Sequence, residues 1–175
     1  MGRRYDPDRR QRIIDAAIRV VGAKGIAGLS HRSVAAEADV PLGSTTYHFE
    51  TLDDLLVAAL RQANAGFAPV PEAVCGAELA AELARLLGEF LTADRGRAEL
   101  EYELYLAALR RPALRPVAAA WAESVTAALA DRVDPATARA VVAVLDGISL
   151  QVLLTDTPYD ERHACEVLTR VLARP

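Results

Sequence analysis

Residues 30–49 read SHRSVAAEADVPLGSTTYHF and hold two short helix-forming stretches with a turn between them. Ser30 is suited to cap the first helix, in which Val34 and Ala38 share an apolar face. Pro41 disfavours helical geometry in the residue before it, so the first helix ends there and a second begins after it. Two short helices joined by a tight turn predict a helix-turn-helix, whose second helix can enter a DNA major groove.

The flanking sequence is helical as well. Apolar residues recur at helical spacing over residues 8–24, and Gly25 is suited to end that helix. Thr51 and Asp54 have the spacing of a capping box, which opens a connecting helix that runs to Phe67. Helical periodicity continues to the end of the chain without strand-like alternation. We predict an all-α protein of about nine helices, with a three-helix helix-turn-helix domain over residues 1–50, a connecting helix over 51–67 and a second helical domain over 68–175.

Composition narrows the class of protein. The chain has 175 residues, of which 52% are hydrophobic and 25% charged, so it has enough apolar material for a core and is not predicted to be disordered. No apolar run reaches the roughly 18 residues of a membrane span. The N-terminus lacks the apolar stretch of a secretory signal, and Cys75 and Cys165 have no metal-like spacing. We therefore expect a cytoplasmic protein with no membrane partner, no metal and no cofactor.

The charge is unevenly distributed. The net charge is −4, yet the first 49 residues carry eight Lys and Arg against five Asp and Glu. The remaining residues carry twelve against nineteen. A basic N-terminal segment on an acidic body is typical of a nucleic-acid-binding domain joined to a domain with another task, although ordinary fluctuation of surface charge gives the same pattern.

Hydrogen-bonding side chains fill the second helix of the motif. We predict that this helix exposes Ser44, Thr45, Thr46, Tyr47 and His48, whereas Phe49 turns into the core. Thr45 and Thr46 are the predicted base readers, because a threonine methyl can contact a thymine methyl while the hydroxyl hydrogen-bonds a base edge. An arginine-rich arm is predicted to reach phosphates or the minor groove, and it contains Arg3, Arg4, Arg9 and Arg10.

The first 60 or so residues resemble the DNA-binding domain of the tetracycline-repressor (TetR) family of bacterial transcriptional regulators. The residues that carry the resemblance, in family order and spacing, are Arg12-Ile13-Ile14-Asp15-Ala16-Ala17, Gly25, Leu29-Ser30, Arg32-Ser33-Val34-Ala35, Ala38-Asp39-Val40, Gly43-Ser44, Tyr47-His48-Phe49 and Leu52-Asp53-Asp54-Leu55. Residues 68–175 match the family only in length and helical character.

The resemblance implies several residue roles. Tyr47 and His48 would contact phosphates, and Arg32 and Ser33 would touch the DNA backbone at the edge of the groove. The sequence departs from the family pattern in that Asp39 replaces Gly, Leu42 and Leu52 replace Lys, and Thr46 replaces Tyr. Loss of two cations is expected to lower non-specific affinity and to flatten its salt dependence, which the arginine arm would partly offset.

The resemblance also places a ligand cavity among the middle helices. We expect the effector to be a small, largely apolar molecule held near four aromatic residues, Phe90, Tyr102, Tyr105 and Trp121. Core packing is the alternative interpretation of these aromatics. Three nearby carboxylates make a cationic ligand conceivable, although a solvated acidic face explains them equally: Glu99, Glu101 and Glu103.

The predicted function is therefore a transcriptional repressor that leaves a palindromic double-stranded DNA operator when its effector binds. Reading two half-sites requires a homodimer, for which the last two helices offer apolar residues at Val141, Val144, Leu145, Ile148, Val152, Leu168, Val171 and Leu172. The alternative is a helical protein-interaction module without a specific operator. With three histidines and no metal-spaced or glycine-rich motif, catalysis is not expected.

Overall fold

The computed structural model describes residues 7–65, 74, 77–155 and 157–173. Across these residues the chain forms nine α-helices and no strand, which confirms the all-α prediction. Their bounds are α1 (Arg9–Lys24), α2 (His31–Glu37), α3 (Leu42–His48), α4 (Leu52–Asn64), α5 (Ala77–Ala93), α6 (Arg95–Ala107), α7 (Arg115–Ala128), α8 (Pro135–Thr155) and α9 (Glu161–Leu172). Single 3₁₀ turns lie at Ile26–Gly28 and Pro112–Leu114.

Local chemistry sets the ends of the N-terminal helices, as the sequence predicts. Gly25 ends α1 with a φ of 66°, a left-handed conformation that favours glycine. Ser30 and Ser33 form a capping box at the start of α2, and Thr51 and Asp54 form another at the start of α4. The connecting helix is predicted to run to Phe67, whereas α4 ends at Asn64 with Ala65 as its C-cap, and residues 66 and 67 lie outside the described residues.

Two compact units divide the chain. The first comprises residues 1–65 and 100–118, and the second comprises residues 66–99 and 119–175. The second half of α6, the following 3₁₀ turn and the start of α7 thus pack with the helix-turn-helix, although they come late in the sequence. The limits predicted for the functional domains stay a prediction.

The first unit has its own apolar core. Ile13 of α1, Val34 of α2 and Leu56 of α4 are fully buried in it, together with Leu104 and Leu114 from the later segment. Burial of a Leu or Ile side chain stabilises a fold by about 1.5–3 kcal/mol, so this segment contributes to the stability of the DNA-binding unit.

The core of the second unit is built from α5, α8 and α9. Leu79 and Leu83 of α5 are buried in it. Val141, Leu145 and Leu168 are also buried there, so the prediction that these three supply an exposed dimer surface is wrong. Their burial follows from helix geometry, because the most apolar face of each helix packs against the other helices of the same chain.

Tyr159 joins the start of α9 to α5. Its hydroxyl donates a hydrogen bond to the Ala84 carbonyl oxygen, with an O···O distance of 2.5 Å. Burial, aided by the carboxylate of Glu161, raises the pKa of Tyr159 above its ordinary value, so the phenol stays protonated and able to donate. Its ring lies against Gly88, where a Cβ atom would stand 2.7 Å from the ring carbon Cε1.

We expect Gly88→Ala to lower the free energy of unfolding by about 1–3 kcal/mol, because the added methyl overpacks this contact. Urea unfolding followed by circular dichroism measures the change. Gly22→Ala in α1 is the matched control: nothing lies within 4 Å of its Cβ position. That substitution is expected to stabilise the protein by about 0.5–1 kcal/mol. Equal stability of Gly88→Ala and the wild type would contradict the tight contact.

Candidate nucleic-acid interface

Local hydrogen bonds fix both ends of α2, its capped start and the turn that leads to α3. The Ser30 hydroxyl accepts a hydrogen bond from the Ser33 amide at 3.0 Å, and the Ser33 hydroxyl donates to the Gly28 carbonyl at 3.0 Å. Asp39 has a φ of 51°, a conformation that glycine adopts more easily, which accounts for the family preference at this position. The Val40 amide then donates to the Ala35 carbonyl at 3.0 Å and closes the turn.

Helix α3 does not expose all five of the predicted DNA-contacting residues. Ser44 and Thr45 are buried, with 5% and 0% of their surface exposed, so the prediction that they face solvent is wrong. The Thr45 hydroxyl donates to the Leu42 carbonyl at 2.8 Å and is not directed outward. Five consecutive helical residues cannot share one face, because successive side chains are about 100° apart around the axis.

The outward face of α3 consists of residues three or four positions apart. Leu42, Gly43, Thr46 and Tyr47 are exposed, and Tyr47 is the most exposed of them at 84%. The Tyr47 ring meets the His48 ring edge to face at 5.1 Å, and His48 is half-buried. A flat phenol, a threonine and an apolar Leu on one helix face can contact phosphates, base edges and thymine methyls respectively.

Arginines of α1 hold this motif in place. Arg12 donates to the Ala38 carbonyl at the end of α2 at 3.0 Å, and Arg19 pairs with Glu37 at 2.7 Å. The Arg10 guanidinium lies over the Phe49 ring, 5.1 Å from its centroid. The sequence indicates no such role for Arg12, because a carbonyl acceptor 26 residues away leaves no local signal.

The other residues predicted to contact DNA differ in how far they are exposed to solvent. Arg32 is exposed on α2, and Arg9 is half-buried at the start of α1. Ser33 has its hydroxyl engaged in the cap described above. Phe49, predicted to turn inward, is buried with 3% exposure. Arg3 and Arg4 lie outside the described residues.

The four aromatic residues predicted to hold a ligand are divided equally between the two units. Tyr102 and Tyr105 belong to the first unit and contact each other edge to face at 6.3 Å. Phe90 and Trp121 are half-buried in the second unit, where Phe90 packs beside the core. All four residues are partly exposed to solvent.

The three glutamates of α6 have different environments. Glu99 pairs with Arg95 at 2.8 Å in the second unit. Glu103 accepts a hydrogen bond from the Ile26 amide at 2.7 Å in the first. Glu101 is half-buried. Within the described ranges, no three His, Cys, Asp or Glu side chains come together in a group that could hold a metal ion.

Comparison with known proteins identifies the class. A family model described as bacterial regulatory proteins of the tetR family matches residues 13–59, and one described as the tetracyclin repressor-like C-terminal domain matches residues 76–174. The chain therefore belongs to the TetR family. It is a DNA-binding, ligand-responsive transcriptional repressor of this family, and the helix-turn-helix described above is its DNA-binding element.

Individual relatives match over almost the whole chain. The nicotine-responsive transcriptional repressor HdnoR of Paenarthrobacter nicotinovorans is 30% identical, over 89% of this chain and 88% of HdnoR. The multidrug binding protein EbrR in complex with imidazole is 74% identical, with a TM-score of 0.89 over 97% of this chain and 98% of EbrR. The EbrR complex with ethidium is 76% identical, with a TM-score of 0.86 over 93% and 98%. Further EbrR complexes contain proflavin and malachite green.

Proposed function

We propose that this chain binds a palindromic operator as a homodimer in the cytoplasm and that conjugated aromatic cations release it. The observation that carries the ligand class is the 76% identity to EbrR in its ethidium complex. Ethidium, proflavin and malachite green are all conjugated aromatic molecules with a delocalised positive charge. Nicotine, the signal in the name of HdnoR, has an aromatic ring and an amine that is protonated at neutral pH.

The residues proposed to hold the ligand suit this chemistry. Aromatic faces attract cations through their quadrupole, by about 0.5–2 kcal/mol for each ring. We propose that Phe90 and Trp121, which both belong to the second unit, supply these faces. Of the two ligand types considered from the sequence, apolar and cationic, we thus favour the cationic one.

Ligand binding and operator release need separate measurements, because ethidium and proflavin also intercalate into DNA. Ethidium fluorescence in the absence of DNA first measures binding to the protein, for the wild type and for Trp121→Ala. Anisotropy of a labelled operator then measures release for both proteins at the same dye concentration. Intercalation of the dye into the operator affects both proteins equally. If the wild type is released from the operator more than Trp121→Ala, the difference is therefore due to ligand binding by the protein. Equal release of both proteins would contradict the proposal.

Helix α8 supports dimerisation. An 18-residue window of this 21-residue helix has a mean hydropathy of 1.6, yet only 28% of the window is buried within the chain. Three of its exposed residues share one face, Ala140, Ala143 and Leu154. Gly147 lies on the same face, with nothing within 4 Å of its Cβ position. Small side chains along one helix face allow another helix to approach closely. We propose that this face packs against the same face of a second copy and not against a membrane.

Operator recognition distinguishes this function from the protein-interaction module. A repressor protects a saturable palindromic site in the DNA upstream of its own gene, and the alternative module binds no such site. Footprinting with increasing protein concentration makes the comparison. Two protected half-sites about 34–36 Å apart are expected for a dimeric helix-turn-helix.

Thr46 and Arg9 are expected to contribute to binding in different ways. Thr46→Ala should relax the sequence preference, because Thr46 is the exposed threonine of α3 and its methyl can contact a thymine methyl. Arg9→Ala should weaken binding to all sequences alike and reduce the salt slope by about 1 per subunit. Titrations of operator and scrambled duplexes at several salt concentrations measure both effects. A uniform loss of affinity in both variants would contradict this division.

A further inference from the structure

Glu103 links α6 to the loop that precedes the helix-turn-helix. It lies on α6, and its Oε1 atom accepts a hydrogen bond from the backbone amide of Ile26 at 2.7 Å, across 77 residues of sequence. The same oxygen would lie 3.1 Å from a Cβ at Gly25, which has a φ of +66°. A hydrogen bond to a carboxylate is stronger than one between neutral groups. Glu103 therefore holds a specific conformation of residues 25–26.

The segment that Glu103 holds leads directly into the helix-turn-helix. The Gly28 amide donates to the Gly25 carbonyl at 3.0 Å, and the Leu29 amide donates to the Ile26 carbonyl at 3.1 Å. Leu29 is buried in the core, and the next residue caps α2. The Gly28 carbonyl also accepts the Ser33 hydroxyl of that cap. The conformation at residues 25–26 thus sets where α2 begins.

A second contact from the same part of the chain reaches the other end of the motif. The Arg111 guanidinium pairs with the carboxylate of Asp53, in the first turn of α4. The helix-turn-helix, with its capping residues, spans 30–49. It is therefore held at its entrance by Glu103 and just beyond its exit by Arg111, both from residues 100–118 of the first unit.

We propose that Glu103 is a positioning residue for operator recognition, which holds the entrance to the helix-turn-helix in its DNA-binding arrangement before DNA is present. This inference rests on the proposed operator binding. Ordering a flexible motif when DNA binds costs free energy and lowers the affinity. A motif that is already ordered in the free protein therefore binds DNA more tightly. Glu103 itself is exposed and adds little to the core, so its loss affects the arrangement of the motif more than the fold.

Three variants of α6 test the proposal. Glu103→Ala removes the acceptor and is expected to weaken operator binding by about threefold to fivefold per subunit. Glu103→Gln keeps an oxygen acceptor for the Ile26 amide and should stay within about twofold of the wild type. Glu99→Ala removes the same charge one turn earlier on α6 and should leave operator affinity unchanged.

Two further readouts separate positioning from other effects. Hydrogen exchange at the Ile26 amide should be faster in Glu103→Ala and close to wild type in Glu103→Gln. Ethidium binding without DNA should be the same in all variants. Wild-type operator affinity in Glu103→Ala, or equal losses in the Gln and Ala variants, would overturn the inference. Failure of the wild type to bind any operator would instead contradict the proposed function.

Discussion

Phe49→Ala is expected to destabilise the protein by about 3–5 kcal/mol, because it leaves a cavity in the core of the DNA-binding unit. Phe49 follows the last residue of α3, is 3% exposed and carries the Arg10 guanidinium over its ring at 5.1 Å. Such a loss is a large share of the 5–15 kcal/mol that typically holds a domain together. Operator binding should fall with it, since Phe49 anchors the end of α3. Urea unfolding and operator titration measure the two effects.

Phe49→Leu is the matched control, because it keeps an apolar side chain that fills most of the same space. We expect it to lose about 1.5 kcal/mol or less and to retain operator binding. If the free energy of unfolding of Phe49→Ala were within 1 kcal/mol of the wild-type value, the ring would not be the core contact that its burial indicates.

Leu154→Glu is expected to weaken the homodimer by at least about a hundredfold, because a charge would be buried without a partner at the proposed α8 seam. Leu154 is 79% exposed in the single chain, so the change does not disturb the fold of the monomer. Light scattering at micromolar concentration should give the mass of one chain, compared with two for the wild type. Operator affinity should fall as well, since a monomer reads one half-site.

Leu109→Glu provides the comparison for that result. Leu109 is 71% exposed, receives the same charge and belongs to the first unit, whereas α8 belongs to the second. It should remain dimeric. A dimeric Leu154→Glu variant, or dissociation of both variants, would argue against the seam proposed on α8.

The local features of this fold could be predicted from the sequence because their causes are local. Gly25 ends α1, Ser30 caps α2, and Thr51 with Asp54 caps α4, all through groups within a few residues of each other. The inward position predicted for Phe49 is confirmed as well. These signals suffice for the helix-turn-helix itself.

The features that sequence reasoning missed depend on contacts between distant residues. Thr45 looks like an exposed DNA contact until α3 is packed against the rest of its unit, where its hydroxyl donates to its own helix. Glu103 looks like one of three solvated glutamates until α6 reaches Ile26. The sequence also predicts four aromatic residues for a ligand site, but not that two of them belong to each unit, because tertiary packing sets that division.

The exposed Leu42 on α3 has a consequence for the cell that contains this repressor. Leu42 and Leu52 stand where the family favours lysine, so a dimer lacks four cations that would displace counterions from DNA. The salt slope of the DNA affinity is about −0.9 for each neutralised phosphate. When the salt concentration doubles, a relative with all four lysines therefore loses about ten times more affinity than this dimer does. Bacterial cells accumulate potassium when the medium becomes more concentrated. Operator occupancy by this protein is thus expected to vary less with osmotic conditions than that of such a relative, so that derepression follows the chemical signal more closely.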